Sequence, residues 1–161
     1  MGPSIHGQET KDLLIENMLK YVPQDGWSME ALRKAVIDTG FAPGDEQRAF
    51  HGSIDRAIEH YLRMMDRQLE EKLSSIDLSQ MRIHDRVATG VMIRLRLAES
   101  HKEAVRKSLL YLSLPLRSAI AMKSLYHTVD TIWYAAGDRA TDFNYYSKRF
   151  LLAGVYSATL V

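Results

Sequence analysis

The chain of 161 residues predicts an all-α protein. Apolar residues recur every three or four positions through one segment after another, which is the period of a helix face. The segment ends carry helix punctuation, with Ser or Thr before a first turn and Gly or Pro after a last one. No convincing run alternates apolar with polar residues, so strands are not expected. A composition of 46% hydrophobic and 25% charged residues is that of a globular chain able to bury a real core.

The first nine residues, with Gly2, Pro3 and Gly7, read as a loose lead-in. From Thr10, a candidate cap, Leu13, Leu14, Met18, Tyr21 and Val22 take helical spacing, and Pro23 to Gly26 is expected to break that helix. Ser28 should cap a short second helix with Leu32, Ala35 and Val36 inside and Gly40 at its end. Pro43 is placed as the first residue of a brief third helix through Phe50. Ser53 then opens a long amphipathic helix. Its apolar stripe is Ile54, Ala57, Ile58, Tyr61, Leu62, Met65 and Leu69. Asp55, Glu59, Arg63, Asp66, Arg67, Glu70 and Glu71 are read as its solvated face.

After a connection from Ser74 to Gln80, Ile83, Val87, Gly90, Val91, Leu95 and Ala98 form a helix flanked by Arg82, Arg86, Arg94 and Arg96. Such arginines can meet anionic headgroups, though pairing with acids of neighbouring helices is the reading preferred here. Val105, Leu109 and Leu112 mark a shorter helix stopped by Pro115. Ile120 to Ala136 is apolar on more than one stripe, as expected of an element buried on several sides. The last segment, Phe150 to Val161, carries small residues four apart, Ala153 with Ser157 and Gly154 with Ala158. Small residues admit a second helix closely, either within one subunit or across a two-fold dimer interface.

A formal net charge of +1 gives no global pull toward nucleic acid, and the absence of Cys excludes disulfides and thiolate metal sites. No secretory h-region and no apolar run of the ~20 residues needed for a spanning helix is evident. Catalytic patterns are missing as well. None of the six histidines lies in a His-Glu-x-x-His motif, and no Glu precedes a His by three, the spacing that carboxylate-bridged diiron bundles use. His127 and Asp130 lie three apart on one helix face, where a local His–Asp hydrogen bond is expected rather than a metal site. Without a phosphate loop or a nucleophile elbow either, the sequence is read as non-catalytic, with no cofactor and no metal.

The densest stretch is Gly-Asp-Arg-Ala-Thr-Asp-Phe-Asn-Tyr-Tyr-Ser-Lys-Arg, from Gly137 to Arg149. Gly137 sits where a left-handed C-cap is wanted, and Thr141 or Asp142 can cap the next helix. Capping leaves Phe143, Tyr145 and Tyr146 unexplained. This stretch, with Leu-Ala-Gly-Val-Tyr after it and Trp133-Tyr134-Ala135-Ala136 before it, resembles the signature of the Coq-nine family of coenzyme Q biosynthesis accessory proteins, found in mitochondria and alphaproteobacteria. Gly26-Trp27-Ser28 and Ala42-Pro43-Gly44 extend the likeness more weakly, so it covers most of the chain.

The resemblance implies a TetR-like helical bundle. Residues 9–52 would be a vestigial helix-turn-helix-like lobe and 53–161 a lipid-binding and dimerisation body, shortened at its C-terminal end, where relatives add a membrane-contacting amphipathic helix. It also implies binding of isoprenoid or quinone precursors or phospholipid, and assistance to the diiron demethoxyubiquinone hydroxylase. Expected pocket residues are Val91, Leu95, Leu109, Leu125, Val129, Trp133, Leu152 and Tyr156. The expected partner surface is Asp138, Asp142, Phe143, Asn144, Tyr145, Tyr146, Lys148 and Arg149, with aromatic and Arg anchors. A homodimer at a membrane surface follows from the same likeness, on the bacterial inner membrane or the mitochondrial matrix side.

The rival reading is a ligand-responsive TetR-type transcription regulator. The recognition-helix position offers Asp45 and Glu46 beside Arg48, and two carboxylates facing a polyanion argue against nucleic acid as a partner. A bare dimerisation scaffold is the third.

Overall fold

The computed structural model describes residues 5–138 and 143–160, with the side chains of residues 143–147 and 150 outside the description. The helices are α1 (Gln8–Met18), α2 (Val22–Asp25), α3 (Met29–Asp38), α4 (Asp45–Phe50), α5 (Ile54–Ser74), α6 (Ile83–Glu99), α7 (Lys102–Leu112), α8 (Ser118–Ala135) and α9 (Phe143–Leu160). A 3-10 turn, Pro115–Arg117, precedes α8. No strand occurs among the described residues, and the protein is all-α.

Two compact units divide the chain. The first takes Met1–Met64 with His101–Ile120, the second Met65–Ser100 with Ala121–Val161. In the first, Leu14, Ile15, Met18, Val22, Leu32, Ala35, Val36, Phe50, Ile58 and Tyr61 are buried. Trp27 joins α7 to this core. Its indole N–H donates to the Ala104 carbonyl at 3.1 Å, and its ring lies 5.1 Å from that of Tyr61. The inner face of α7 is Ala104, Ser108 and Leu112, small enough for close approach. Lys107 donates from that helix to the Pro23 carbonyl at 2.8 Å.

Local punctuation acts largely as the residue types dictate. The Ser28 hydroxyl accepts the Ala31 N–H at 3.2 Å, and Gly40, at φ 72°, follows the end of α3. Two expectations are corrected. Pro23 does not simply break α1: its fixed φ suits a first helical turn, and it is the second residue of the one-turn helix α2. Pro43 lies outside α4, because Gly44 at φ 94° makes the turn and Asp45 begins the helix.

The acids of α4 differ from expectation too. Asp45 and Glu46 are buried, and their carboxylates accept the backbone N–H groups of Ala42 and Gly44 at 3.0 and 2.9 Å. They fasten the turn before the helix instead of presenting charge outward, so the repulsion argued from them does not apply at this surface.

Candidate functional site

The second unit is built on one apolar cluster: Leu69 and Leu73 from α5, Val87 from α6, Val129 and Ile132 from α8 with Ala136 just after it, and Leu152 from α9. Half-buried Val91, Ile93 and Leu97 from α6 and Leu125, Trp133 and Ala135 from α8 pack on it. Gly90 lets α6 and α8 meet closely. A Cβ there would lie 2.9 Å from Cγ2 of Ile132, inside any ordinary contact.

Of the eight expected pocket residues, Val91, Leu125, Val129, Trp133 and Leu152 come together in this cluster. Tyr156 is buried on α9 and Leu95 half-buried on α6. Leu109 belongs elsewhere: it lies in the first unit and is 37% exposed, because α7 turns Ala104, Ser108 and Leu112 inward.

Charged groups penetrate this unit. Asp66, read from the sequence as part of a solvated face, is fully enclosed. It accepts from Arg94 Nε at 3.2 Å and from the Thr128 hydroxyl at 2.8 Å, and its second oxygen lies 3.0 Å from His127 Nδ1. Arg94 is equally buried and reaches the Met65 sulfur at 3.5 Å. The expected His127–Asp130 bond is therefore replaced: His127 turns to Asp66, while Asp130 accepts from Arg149 Nε at 2.7 Å. Burial pushes the Tyr156 hydroxyl up from its ordinary value, with Arg94 pulling the other way and Asp66 adding to the rise.

Sequence signals for this network exist. Val87, Val91, Arg94 and Ala98 follow 4-3-4 spacing on α6, and Leu62, Asp66, Leu69 and Leu73 follow it on α5. A cation in one apolar stripe and an anion in another require each other, since a lone buried charge is prohibitively costly.

A second network sits where α8 ends. Gly137, at φ 89°, takes the left-handed C-cap position as expected. Arg86 NH1 donates to the Ala136 carbonyl at 3.3 Å, and its Nε to the Met81 carbonyl at 2.9 Å. Arg149 is buried between Asp130 and Asp138, with NH1 3.3 Å from Asp138. Lys148 lies 3.4 Å from the other Asp138 oxygen and 5.5 Å from the centre of the Trp133 ring. The Trp133 indole N–H is buried with no acceptor among the described residues.

Of the expected partner surface, Asp138 and Arg149 are thus buried and bonded within the unit, and Lys148 is half-buried beside them. Asp142 lies outside the described residues, as do the side chains of Phe143, Asn144, Tyr145 and Tyr146. On α9, Ala153 packs toward the apolar cluster, whereas Gly154 has no heavy atom near its missing Cβ. Close packing within the subunit therefore accounts for Ala153 and leaves Gly154 unused.

Fold and site define a class: an all-helical protein whose second unit combines an apolar cluster with buried ion pairs. Comparison with known proteins makes this particular. The COQ9 family model matches residues 118–161, which carry α8 and α9. The probable ubiquinone biosynthesis protein coq9 of Dictyostelium discoideum is 28% identical over 93% of this chain and 51% of its own length. The mitochondrial COQ9 of Rattus norvegicus is 28% identical over 94% of the chain and 51% of its own length, and COQ9-A of Xenopus laevis 29% over 98% and 53%. The chain is similar to COQ9 proteins along most of its length, and it spans about half the length of the curated relatives it matches.

Proposed function

We propose that the chain is a non-catalytic accessory protein of ubiquinone biosynthesis, one that shelters an isoprenoid quinone precursor or a phospholipid and assists the diiron demethoxyubiquinone hydroxylase. The observation that carries the role is the likeness to proteins named for ubiquinone biosynthesis along 93–98% of this chain. The apolar surface gathered from α5, α6, α8 and α9 supports the lipid part. So does Trp133, whose buried donor has no acceptor among the described residues at the edge of that surface. A buried N–H left unmet costs about 1–3 kcal/mol, which an oxygen of a quinone ring or an ester would recover.

The mechanism is delivery. A polyprenyl tail avoids water by about 0.8 kcal/mol for each CH₂, so its unaided passage between bilayer and enzyme is slow. Helices that part to admit the tail remove that barrier, and a docking surface places the ring beside the hydroxylase. Among the described residues no helix is long and apolar enough to cross a membrane, so the reading places the protein peripherally, at the bacterial inner membrane or on the matrix side of mitochondria. A TetR-like arrangement and a homodimer belong to the same reading. Phe143, Tyr145 and Tyr146 are its docking anchors, with Lys148 alongside.

Lipid extraction and mass spectrometry of the purified protein test this directly. Isoprenoid or phospholipid at near-stoichiometric amounts is expected. Protein free of lipid that also fails to take up a polyprenyl quinone would overturn the reading. Tyr145→Ala is expected to abolish hydroxylase pull-down with helical circular dichroism unchanged, and undiminished capture would remove the docking assignment.

A further inference from the structure

Near the C-terminal ends of α5 and α6 the second unit holds an open cavity of about 450 Å³, lined by Lys72, Ser75, Ile76, Ile93, Arg96, Leu97 and Ser100. That volume falls within the range of small-molecule sites. Its chemistry is lopsided. Lys72 and Arg96 supply two positive charges, and no carboxylate is among the lining residues. Among the described residues neither cation has an acidic partner, whereas Arg94, two positions earlier on α6, is paired with Asp66.

Helix C-termini carry partial negative charge that would oppose an anion. Here the Ser75 hydroxyl donates to the Lys72 carbonyl at 2.7 Å and the Ser100 hydroxyl to the Arg96 carbonyl at 3.4 Å, which engages part of that charge. The rest of the wall is apolar. Ile93 and Leu97 pack against the central apolar cluster on one side and line the cavity on the other. Ile76 is 40% exposed at the rim.

We propose that this cavity binds the anionic head of a single-chain amphiphile, a phosphate or carboxylate held between Lys72 and Arg96, with the first carbons of its tail against Ile93 and Leu97. Arg offers a planar fork to such a group and Lys a mobile point charge, and together they match a tetrahedral phosphate. The cavity adjoins the cluster through shared side chains, so the head site is the charged entrance to the apolar surface. This rests on the lipid-binding reading above and gives it a sign: the preferred ligand is acidic.

The test titrates the full chain by calorimetry with three probes: oleoyl lysophosphatidate, monoolein with the same tail and no charge, and inorganic phosphate. Lysophosphatidate is expected to bind at least about tenfold tighter than monoolein, and phosphate alone far more weakly. Lys72→Gln and Arg96→Gln should each weaken lysophosphatidate about five- to tenfold while leaving monoolein binding and circular dichroism unchanged. Ile76→Ser should weaken both amphiphiles together.

Equal affinity for the two amphiphiles, or glutamine variants that bind lysophosphatidate as well as the parent, would overturn the proposal. Phosphate binding as tightly as lysophosphatidate would make this a free-anion site and overturn the amphiphile. If a neutral polyprenyl quinone binds with no preference for acid, the inference falls and the lipid-binding reading stands. If no lipid of any kind binds, both fall.

Discussion

The two units use charge in opposite ways. In the first, no ion pair among the described residues encloses both partners. Asp55 accepts from Tyr111 and Arg117 at 2.7 and 3.1 Å, with side chains 38% and 28% exposed for the Asp55–Arg117 pair, around a core that is otherwise aliphatic and aromatic. In the second, Arg94 and Asp66 retain only 4% and 2% side-chain exposure, and Arg149 and Asp138 3% and 7%. A rim pair can fall back on water, whereas a buried pair has nothing to fall back on. The second unit therefore depends on charge complementarity as much as on packing, and its geometry is pinned at two specific points.

The sharpest way to break this comparison is to delete one buried charge. Asp66→Ala leaves Arg94 enclosed without an anion, while the Thr128 hydroxyl keeps the Ser124 carbonyl as its acceptor. A loss of about 3–5 kcal/mol is expected in urea unfolding. Arg94→Met with Asp66→Leu, which removes both charges at similar volume, should recover much of that loss. Asp55→Ala in the first unit removes a carboxylate with two side-chain partners, and should cost only about 1–2 kcal/mol. Equal losses at the two sites would erase the distinction.

Packing offers a third probe, confined to the second unit. Gly90→Ala adds a methyl 2.9 Å from Ile132, which is itself buried. The substitution gains up to about 1 kcal/mol of helix propensity but forces a branched neighbour to move, at about 1–3 kcal/mol. A net destabilisation of about 1 kcal/mol is expected in thermal melts. Ile132→Leu removes the offending methyl, so the double variant should be less destabilised than the two single losses added together.

Much of the fold was legible in the sequence because helices advertise themselves locally. Ser28, Gly40 and Gly137 act at the ends where their chemistry suits them, and Ala57, Ile58, Tyr61, Met65 and Leu69 all turn inward from α5. Pairings between distant elements were not legible. Asp66 counts as polar in any tally by residue type, and its burial is visible only once Arg94 is seen to occupy the matching stripe position on α6. His127 was assigned the neighbour closest in sequence, Asp130, whereas a residue 61 positions away on α5 holds it. Leu109 fits the apolar spacing with Val105 and Leu112, but Trp27 and the Pro23 carbonyl approach α7 so closely that small Ala104 and Ser108 face inward. The proposed function rests on resemblance, since no spacing of residues encodes it.

The smallest expected effect comes from a titratable group that the first unit does enclose. His101 begins α7 with its ring edge-on to Tyr61, 6.4 Å between centres, and its Nδ1 has no hydrogen-bond partner among the described residues. Burial holds its pKa below the ordinary 6.5, a pull that Glu16 on α1 only partly offsets. The unfolded chain therefore takes up a proton that the folded unit resists. Stability from this group is fully present above about pH 6.5 and declines as pH falls toward the folded value. His101→Gln removes that titration, so parent and variant stability curves should run parallel above pH 7 and converge or cross as pH falls below about 6.5. A difference independent of pH would show that burial of this imidazole carries no protonation cost.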